Sequence, residues 1–247
     1  MSRRRAEILA EMGLVPVWRL RRERSSPVLQ SVAEASAEVQ GVPLHEQAVV
    51  ATSSEARERH ILSMDWQALK GKVAGCTDCR LRATCKQTVF GVGDERAAWM
   101  LVGEAPGADE DRLGEPFVGQ AGKLLDNMLA ALGLARGADV YIANVLKCRP
   151  PGNRNPQPDE VAQCAPYLLR QISLIQPKLI VAMGRFAAQA LLGTDASIAS
   201  LRGRVHRYAG VPLVVTYHPA YLLRSLPDKA KAWADLRFAV RTIAAAG

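Results

Sequence analysis

Three side chains that could do chemistry stand at isolated points of this 247-residue, Ala- and Leu-rich chain. A carboxylate lies in a turn of two glycines and a proline, Gly103-Glu104-Ala105-Pro106-Gly107. An amide, Asn144, precedes the run Lys147-Cys148-Arg149-Pro150-Pro151-Gly152-Asn153-Arg154. An imidazole opens His218-Pro219-Ala220-Tyr221-Leu222-Leu223-Arg224. A carboxylate and an imidazole can move protons or stabilise charge, an amide both donates and accepts, and arginines can hold phosphates. Each has a plainer explanation alone: Glu104 as a cap, Asn144 as a partner for buried backbone, His218 as a satisfied loop histidine.

Cysteines form a second constellation. Cys76-x2-Cys79 and Cys148-x15-Cys164 supply two pairs, and Cys85 is left over as a free thiol. An odd count argues against a disulfide framework and for a metal or free thiols. Four thiolates suit tetrahedral zinc or an iron–sulfur cluster, and spacing alone does not choose between them. The stretch Gly119-Gln120-Ala121-Gly122-Lys123 is no P-loop, because its first glycine is misplaced and no Ser or Thr follows the lysine. It can still bring a backbone and a helix start close to a phosphate.

The elements around these points alternate. Leu62–Val73 reads as a helix, residues 97–102 as a buried strand, and Gln120–Gly133 as a helix. Residues 140–145 read as a strand, Asp159–Ile175 as a helix, and 179–184 as a strand. After a helix through Leu192 come a strand near Val205, a strand over 213–217 and a closing helix over Lys229–Ala244. Strands alternating with helices predict an α/β three-layer sandwich: a central, mostly parallel sheet flanked by helices. In such a sheet ligands bind beyond the carboxyl ends of the strands. Glu104, Asn144 and His218 all follow strands, so one sheet edge gathers them with the arginines, and their shared edge outweighs the plainer explanations.

Composition sets the bounds. Hydrophobic residues make up 49% and charged residues 23%, enough for a core and too apolar for global disorder. No run of eighteen apolar residues offers a transmembrane helix, and Ser2–Glu7 makes a poor secretory start, so a cytoplasmic protein is expected. The net charge is +8, of which residues 61–247 carry +7. That suits a polyanion such as nucleic acid without requiring one. Residues 1–24, with seven Arg and three Glu, read as a short basic amphipathic docking peptide. Residues 25–60, rich in Ser, Ala, Glu and Gln, read as a flexible linker, so a disordered extension precedes a domain at 61–247.

Together, GEAPG at 103–107, EPFVG at 115–119, YIAN at 141–144, KCRPPGNRNP at 147–156 and HPAYLL at 218–223 resemble the family 4 uracil-DNA glycosylases, iron–sulfur members of the uracil-DNA glycosylase superfamily. The resemblance runs from about Cys76 to the C-terminus, with the motifs in the family's order. It implies a [4Fe–4S] cluster on Cys76, Cys79, Cys148 and Cys164, with Cys85 outside the pattern. It also implies that Phe117 stacks on uracil, that Asn144 reads its edge, that His218 donates to O2 and that Glu104 belongs to the catalytic motif. Ala105 stands where a better-known branch carries an Asp, and Glu110 aligns with a residue that crowds the C5 position of the base. Segment 4–22 resembles the part of the clamp-loader psi subunit that docks on chi, which makes chi a possible partner.

The expected activity is that of a monomeric, monofunctional repair enzyme. It flips uracil out of DNA, hydrolyses the N-glycosidic bond and leaves an abasic site. Leu222 or Leu223 would act as a wedge, Arg149, Arg154 and Arg224 would hold flanking phosphates, and Gly119 would approach the backbone. Strand parity with Asn144 sends Lys147 to the opposite face, away from any Schiff-base role. The alternative is a non-enzymatic iron–sulfur or zinc module that binds nucleic acid.

Overall fold

Alternate residues of four short apolar strands face opposite ways, and each set meets its own helices. The computed structural model describes residues 44–245. In chain order, helices α1 (Leu44–Ser63) and α2 (Trp66–Ala74) precede a 3-10 turn at Arg80–Ala83 and strand β1 (Val92–Gly93). Strand β2 (Trp99–Gly103), helices α3 (Ala108–Leu113) and α4 (Gln120–Ala130), and strand β3 (Val140–Asn144) follow. Next come α5 (Pro158–Ile175), β4 (Leu179–Met183), α6 (Arg185–Leu192) and α7 (Ile198–Leu201). The chain finishes with β5 (His206–Tyr208), β6 (Val211–Thr216), α8 (Pro219–Leu222) and α9 (Asp228–Ala245).

The sheet order is β1-β3-β2-β4-β6-β5. The four central strands are parallel, while β1 and β5 add to the edges antiparallel. All residues of β2, β3 and β4 are buried, as expected for strands covered on both sides. Met100, Val102, Ala143, Ile180, Ala182 and Val215 pack against Leu168 and Ile172 of α5, Ala187 and Leu191 of α6, and Leu201 of α7. The intervening residues Leu101, Ile142, Val181 and Val214 pack against Leu125 and Leu129 of α4 and Leu236 and Ala239 of α9. This is the expected three-layer sandwich.

Strand and helix ends shift by a few residues from the sequence reading, and two boundaries differ in kind. The linker expected to reach residue 60 ends instead in α1, where Ile61 is fully buried and Arg57 pairs with Asp78 at 2.8 Å. A polar, weakly periodic segment is helical here because a few side chains dock on the domain, a tertiary contact with no local signal. The helix expected over Leu62–Val73 is broken at Asp65, whose carboxylate accepts from Ala68 N at 2.8 Å and caps α2. Residues 1–43, where the docking peptide and most of the linker are expected, lie outside the described residues.

Candidate active site

The carboxyl ends of β2, β3, β4 and β6 open on a cavity of about 740 Å³. It is lined by Glu104, Ala105, Glu110, Phe117, Asn144, Arg154, His218 and Arg224 among others. The scattered carboxylate, amide and imidazole therefore share one space.

Asn144 ends β3 and is almost fully buried. Its Oδ1 has no hydrogen-bond partner, one of two buried side-chain atoms among the described residues in that position. A buried acceptor without a donor costs about 1–3 kcal/mol, and Asn144 is among the residues that line the cavity. Opposite it in register, Gly103 ends β2. A Cβ there would fall 2.4 Å from Asn144 Oδ1 and 2.7 Å from Phe117 Cζ, so only glycine leaves room for both side chains.

Phe117 holds φ 55°, a left-handed conformation costly for an aromatic residue. The Arg136 fork offsets that cost, donating from Nη2 to Phe117 O and from Nη1 to Pro116 O, each at 2.8 Å. Gly122 lies beneath, where a Cβ would collide with Phe117 O. The Phe117 ring stacks beside His218, with centroids 5.3 Å apart and planes 27° apart. The two ring planes are therefore nearly parallel.

His218 caps α8, and its Nδ1 accepts from Ala220 N at 3.1 Å. This bond assigns the proton of the neutral ring to Nε2, which is left as a donor. Burial pushes the imidazole down to about 4; Glu110 opposes this and Arg224 adds to it. The ring is neutral at physiological pH. Gly184, at φ +94°, passes beneath, where a Cβ would lie 2.9 Å from His218 Cβ. Glu104 is pushed up to about 7 by burial, with Arg185 pulling the other way, so its carboxyl changes charge near neutrality.

Other predicted residues have different surroundings. Glu110 lines the cavity, but its oxygens accept from Gly107 N at 3.0 Å, Val118 N at 3.1 Å and Gly119 N at 3.3 Å. It ties the GEAPG turn to the Phe117 loop. Gly119 caps α4 beside a separate, smaller cavity. Arg154 lines the main cavity, yet it is engaged by Glu160 at 2.5 and 2.9 Å and by Asn155 O at 3.0 Å. Glu160 is fully buried, and the Arg154 hydrogen bonds hold it down to about 2 against burial. Arg149 donates to Asn153 Oδ1 at 2.7 Å and is not on the cavity wall. Leu222 is 1% exposed and cannot enter DNA without unfolding α8; Leu223, 43% exposed, is the one of the pair that can. Lys147 is buried, its Nζ donating to Asn144 O at 2.9 Å and Gln171 Oε1 at 2.7 Å, although β3 ends at Asn144 and its alternation does not extend to residue 147.

Sequence reasoning missed Arg136, which lies in a loop with no motif. It also missed Arg185 and Phe186 on the cavity wall, although they directly follow β4 and the strand-end rule would have flagged them. Arg185 stacks over Phe186, with its guanidinium carbon 4.6 Å from the ring centroid.

The five cysteines are free thiols, and all belong to one cluster with Ile61, Leu69, Val73 and Tyr167. Tyr167 Oη donates to Asp78 Oδ2 at 2.5 Å and lies 3.5 Å from Cys76 Sγ, while Lys147 N donates to Cys164 Sγ at 3.4 Å. Burial raises the Cys148 thiol, and the neighbouring Cys85 raises it further. Among the described residues no three His, Cys, Asp or Glu side chains close on one point that would hold a metal ion. A single zinc needs its sulfurs about 2.3 Å from such a point, whereas a multi-iron cluster holds them further apart. Soft, unpaired thiols gathered in one place are a donor set that suits either group.

A family model described as the uracil DNA glycosylase superfamily matches residues 90–237. The type-4 uracil-DNA glycosylase of Archaeoglobus fulgidus is 49% identical over 160 residues, covering 62% of this chain and 80% of that one. The type-4 uracil-DNA glycosylase of Pyrobaculum aerophilum is 46% identical over 169 residues, 65% and 86% of the two chains. A type-5 uracil-DNA glycosylase of the same organism is 36% identical over 146 residues, 53% and 64% of the two chains.

Proposed function

Because the chain belongs to the uracil DNA glycosylase superfamily, alongside its type-4 members, we propose that it excises uracil from DNA by hydrolysing the N-glycosidic bond. The observation that carries this reading to particular residues is the unpartnered Asn144 Oδ1 in a cavity shared with Phe117 and a donor on His218. Uracil presents N3–H and O4, so the Asn144 oxygen accepts from the first while its NH2 donates to the second. Cytosine presents the reverse pattern and leaves two buried groups unmet, a loss of several kcal/mol, on the order of ~2–6.

The base must leave its stack to reach this cavity, which costs a few kcal/mol. Phe117 offsets part of that by stacking, Leu223 enters the gap, and Arg224 at the exposed rim holds a flanking phosphate. When the C1′–N1 bond breaks, the electron pair leaves with uracil and the sugar becomes an oxocarbenium-like cation. His218 Nε2–H faces the O2 edge of the departing anion, a contribution of about 3–4 kcal/mol for a donor preorganised in a dry site. Ionised Glu104 favours the sugar cation and takes the proton of the water that attacks C1′. The products are free uracil and an abasic site.

The reading includes a [4Fe–4S] cluster on Cys76, Cys79, Cys148 and Cys164. It is supported by the donor chemistry and by the braces already in place: Val89 N donates to Lys147 O at 2.7 Å, and Glu160 joins Arg80 to Arg154. When bound, the cluster supplies a covalent cross-link between the CxxC segment, the Arg-rich loop and α5. The reading further includes a monomer working in the cytoplasm and docking on chi through residues 1–24. Among the described residues no helix is long and apolar enough to cross a membrane.

The test is incubation with a single-uracil oligonucleotide followed by alkali. Strand scission at the uracil is expected, with none at cytosine. Asn144→Asp should erode that discrimination; an unchanged ratio would remove Asn144 as the reader.

A further inference from the structure

Beyond His218 the cavity wall carries two tyrosines to which uracil recognition assigns no task. Tyr217 and Tyr221 are stacked, with centroids 5.3 Å apart and planes 19° apart. The Arg202 guanidinium carbon lies 4.8 Å from the Tyr217 centroid, and Arg202 is itself fixed by Asp235 Oδ2 at 2.6 Å and Lys231 O at 2.7 Å. The Tyr221 hydroxyl donates to Asp228 at 2.6 Å. Asp228 in turn accepts from Ser225 Oγ at 2.8 Å and Lys231 Nζ at 2.7 Å. Tyr221 is therefore positioned by its ring on one side and its hydroxyl at the tip, yet the residue is 39% exposed. Leu223 and Leu226, 43% and 63% exposed, follow within five residues. Tyr221 and Arg224 line the cavity, and the exposed Leu223 and Leu226 extend an apolar surface beside them in sequence.

We infer that Tyr221 is a stacking platform for the nucleobase next to the flipped uridine, extending the Arg202–Tyr217–Tyr221 stack onto the DNA. This rests on the glycosylase reading and adds a second base subsite to it. Flipping leaves a neighbouring base with one face unstacked, and a prepositioned aromatic replaces the lost partner without an ordering cost. Every base has a π-face, so the subsite tolerates sequence, and larger purine faces gain more than pyrimidines. The hydroxyl serves to hold the ring; it reads no base.

The test uses the full chain with oligonucleotides that carry 2-aminopurine beside a 2′-fluoro-deoxyuridine, whose glycosidic bond resists hydrolysis. Binding to wild type should quench the 2-aminopurine on one side of the uridine. Tyr221→Ala should abolish that quenching and raise KM on cleavable substrate about tenfold, with kcat within about twofold of wild type. Tyr221→Phe keeps the ring and loses its anchor, so quenching should persist and KM should rise less than in Tyr221→Ala. Equal quenching by wild type and Tyr221→Ala would overturn the proposal. So would Tyr221→Phe behaving like Tyr221→Ala, because the anchor to Asp228 would then be the feature that counts. Uracil release from unmodified DNA is scored separately and reads the glycosylase assignment on its own.

Discussion

Gly103→Ala adds a single methyl group to the last residue of β2, and its effect follows from two distances. The new Cβ would lie 2.4 Å from Asn144 Oδ1 and 2.7 Å from Phe117 Cζ, about 1 Å short of ordinary contact with the first. Neither neighbour can swing aside freely, since Asn144 is 2% and Phe117 6% exposed. The backbone is also held: Gly103 pairs with Asn144 in the sheet, and its carbonyl accepts from Val145 N at 2.9 Å. Something must move by about 1 Å, and both candidates are groups that would grip the base. Overpacking of this kind costs about 1–3 kcal/mol, several degrees in Tm for a domain of this size. A misplacement of about 1 Å at a reacting centre costs roughly 100-fold in rate. The expected result is a folded protein whose kcat/KM for uracil release falls about 100-fold. Gly71→Ala is the control: it lies in α2 with nothing within 4 Å of its Cβ, and should stabilise by about 0.5–1 kcal/mol with activity unchanged. A Gly103→Ala enzyme that melts within a few degrees of wild type and cleaves within threefold of it would refute the claim that this contact fixes the reader and the ring.

Further expectations concern the same cavity. His218→Ala should lower kcat by a factor of about 100–1000 with little change in DNA affinity, and equal losses in both would count against an anion-stabilising donor. NMR titration should find the His218 ring neutral down to about pH 4, because burial disfavours its charged form. Glu104, raised to about 7, should give a rate that climbs with pH through neutrality. Its folded-state pKa exceeds the unfolded one, so wild-type stability should fall between about pH 4.5 and 7. Glu104→Gln should flatten both profiles, and an unaltered rate profile would assign the titration to another group. Arg136→Ala frees the Pro116 and Phe117 carbonyls, and should raise KM more than Arg136→Lys, which keeps the charge but loses the fork. Identical KM values for both variants and wild type would show that Phe117 keeps its conformation unaided.

Local pattern alone was enough for the alternation of strands and helices, the three-layer sandwich and the edge where the chemistry gathers. Buried strands and amphipathic helices announce themselves by period, and the strand-end rule converts chain order into a shared location. Glu104, Asn144 and His218 were legible for the same reason, whereas Phe117 was named only through the resemblance to the family. Tertiary structure decided what those rules leave free. Leu222 and Leu223 are neighbours of identical type, and only the rotation of the four-residue α8 against α4 buries one and exposes the other. Arg154 reads as a phosphate clamp until the buried Glu160 is seen to claim its guanidinium. Arg136, 19 residues beyond Phe117, supports that carbonyl through a contact no spacing encodes. Helix α1 has almost no amphipathic signal and is recognisable only by what Arg57 and Ile61 touch. Periodicity records which face of an element is apolar; partners distant in sequence, and the turn-by-turn rotation that aims a side chain, exist only once the chain has closed on itself.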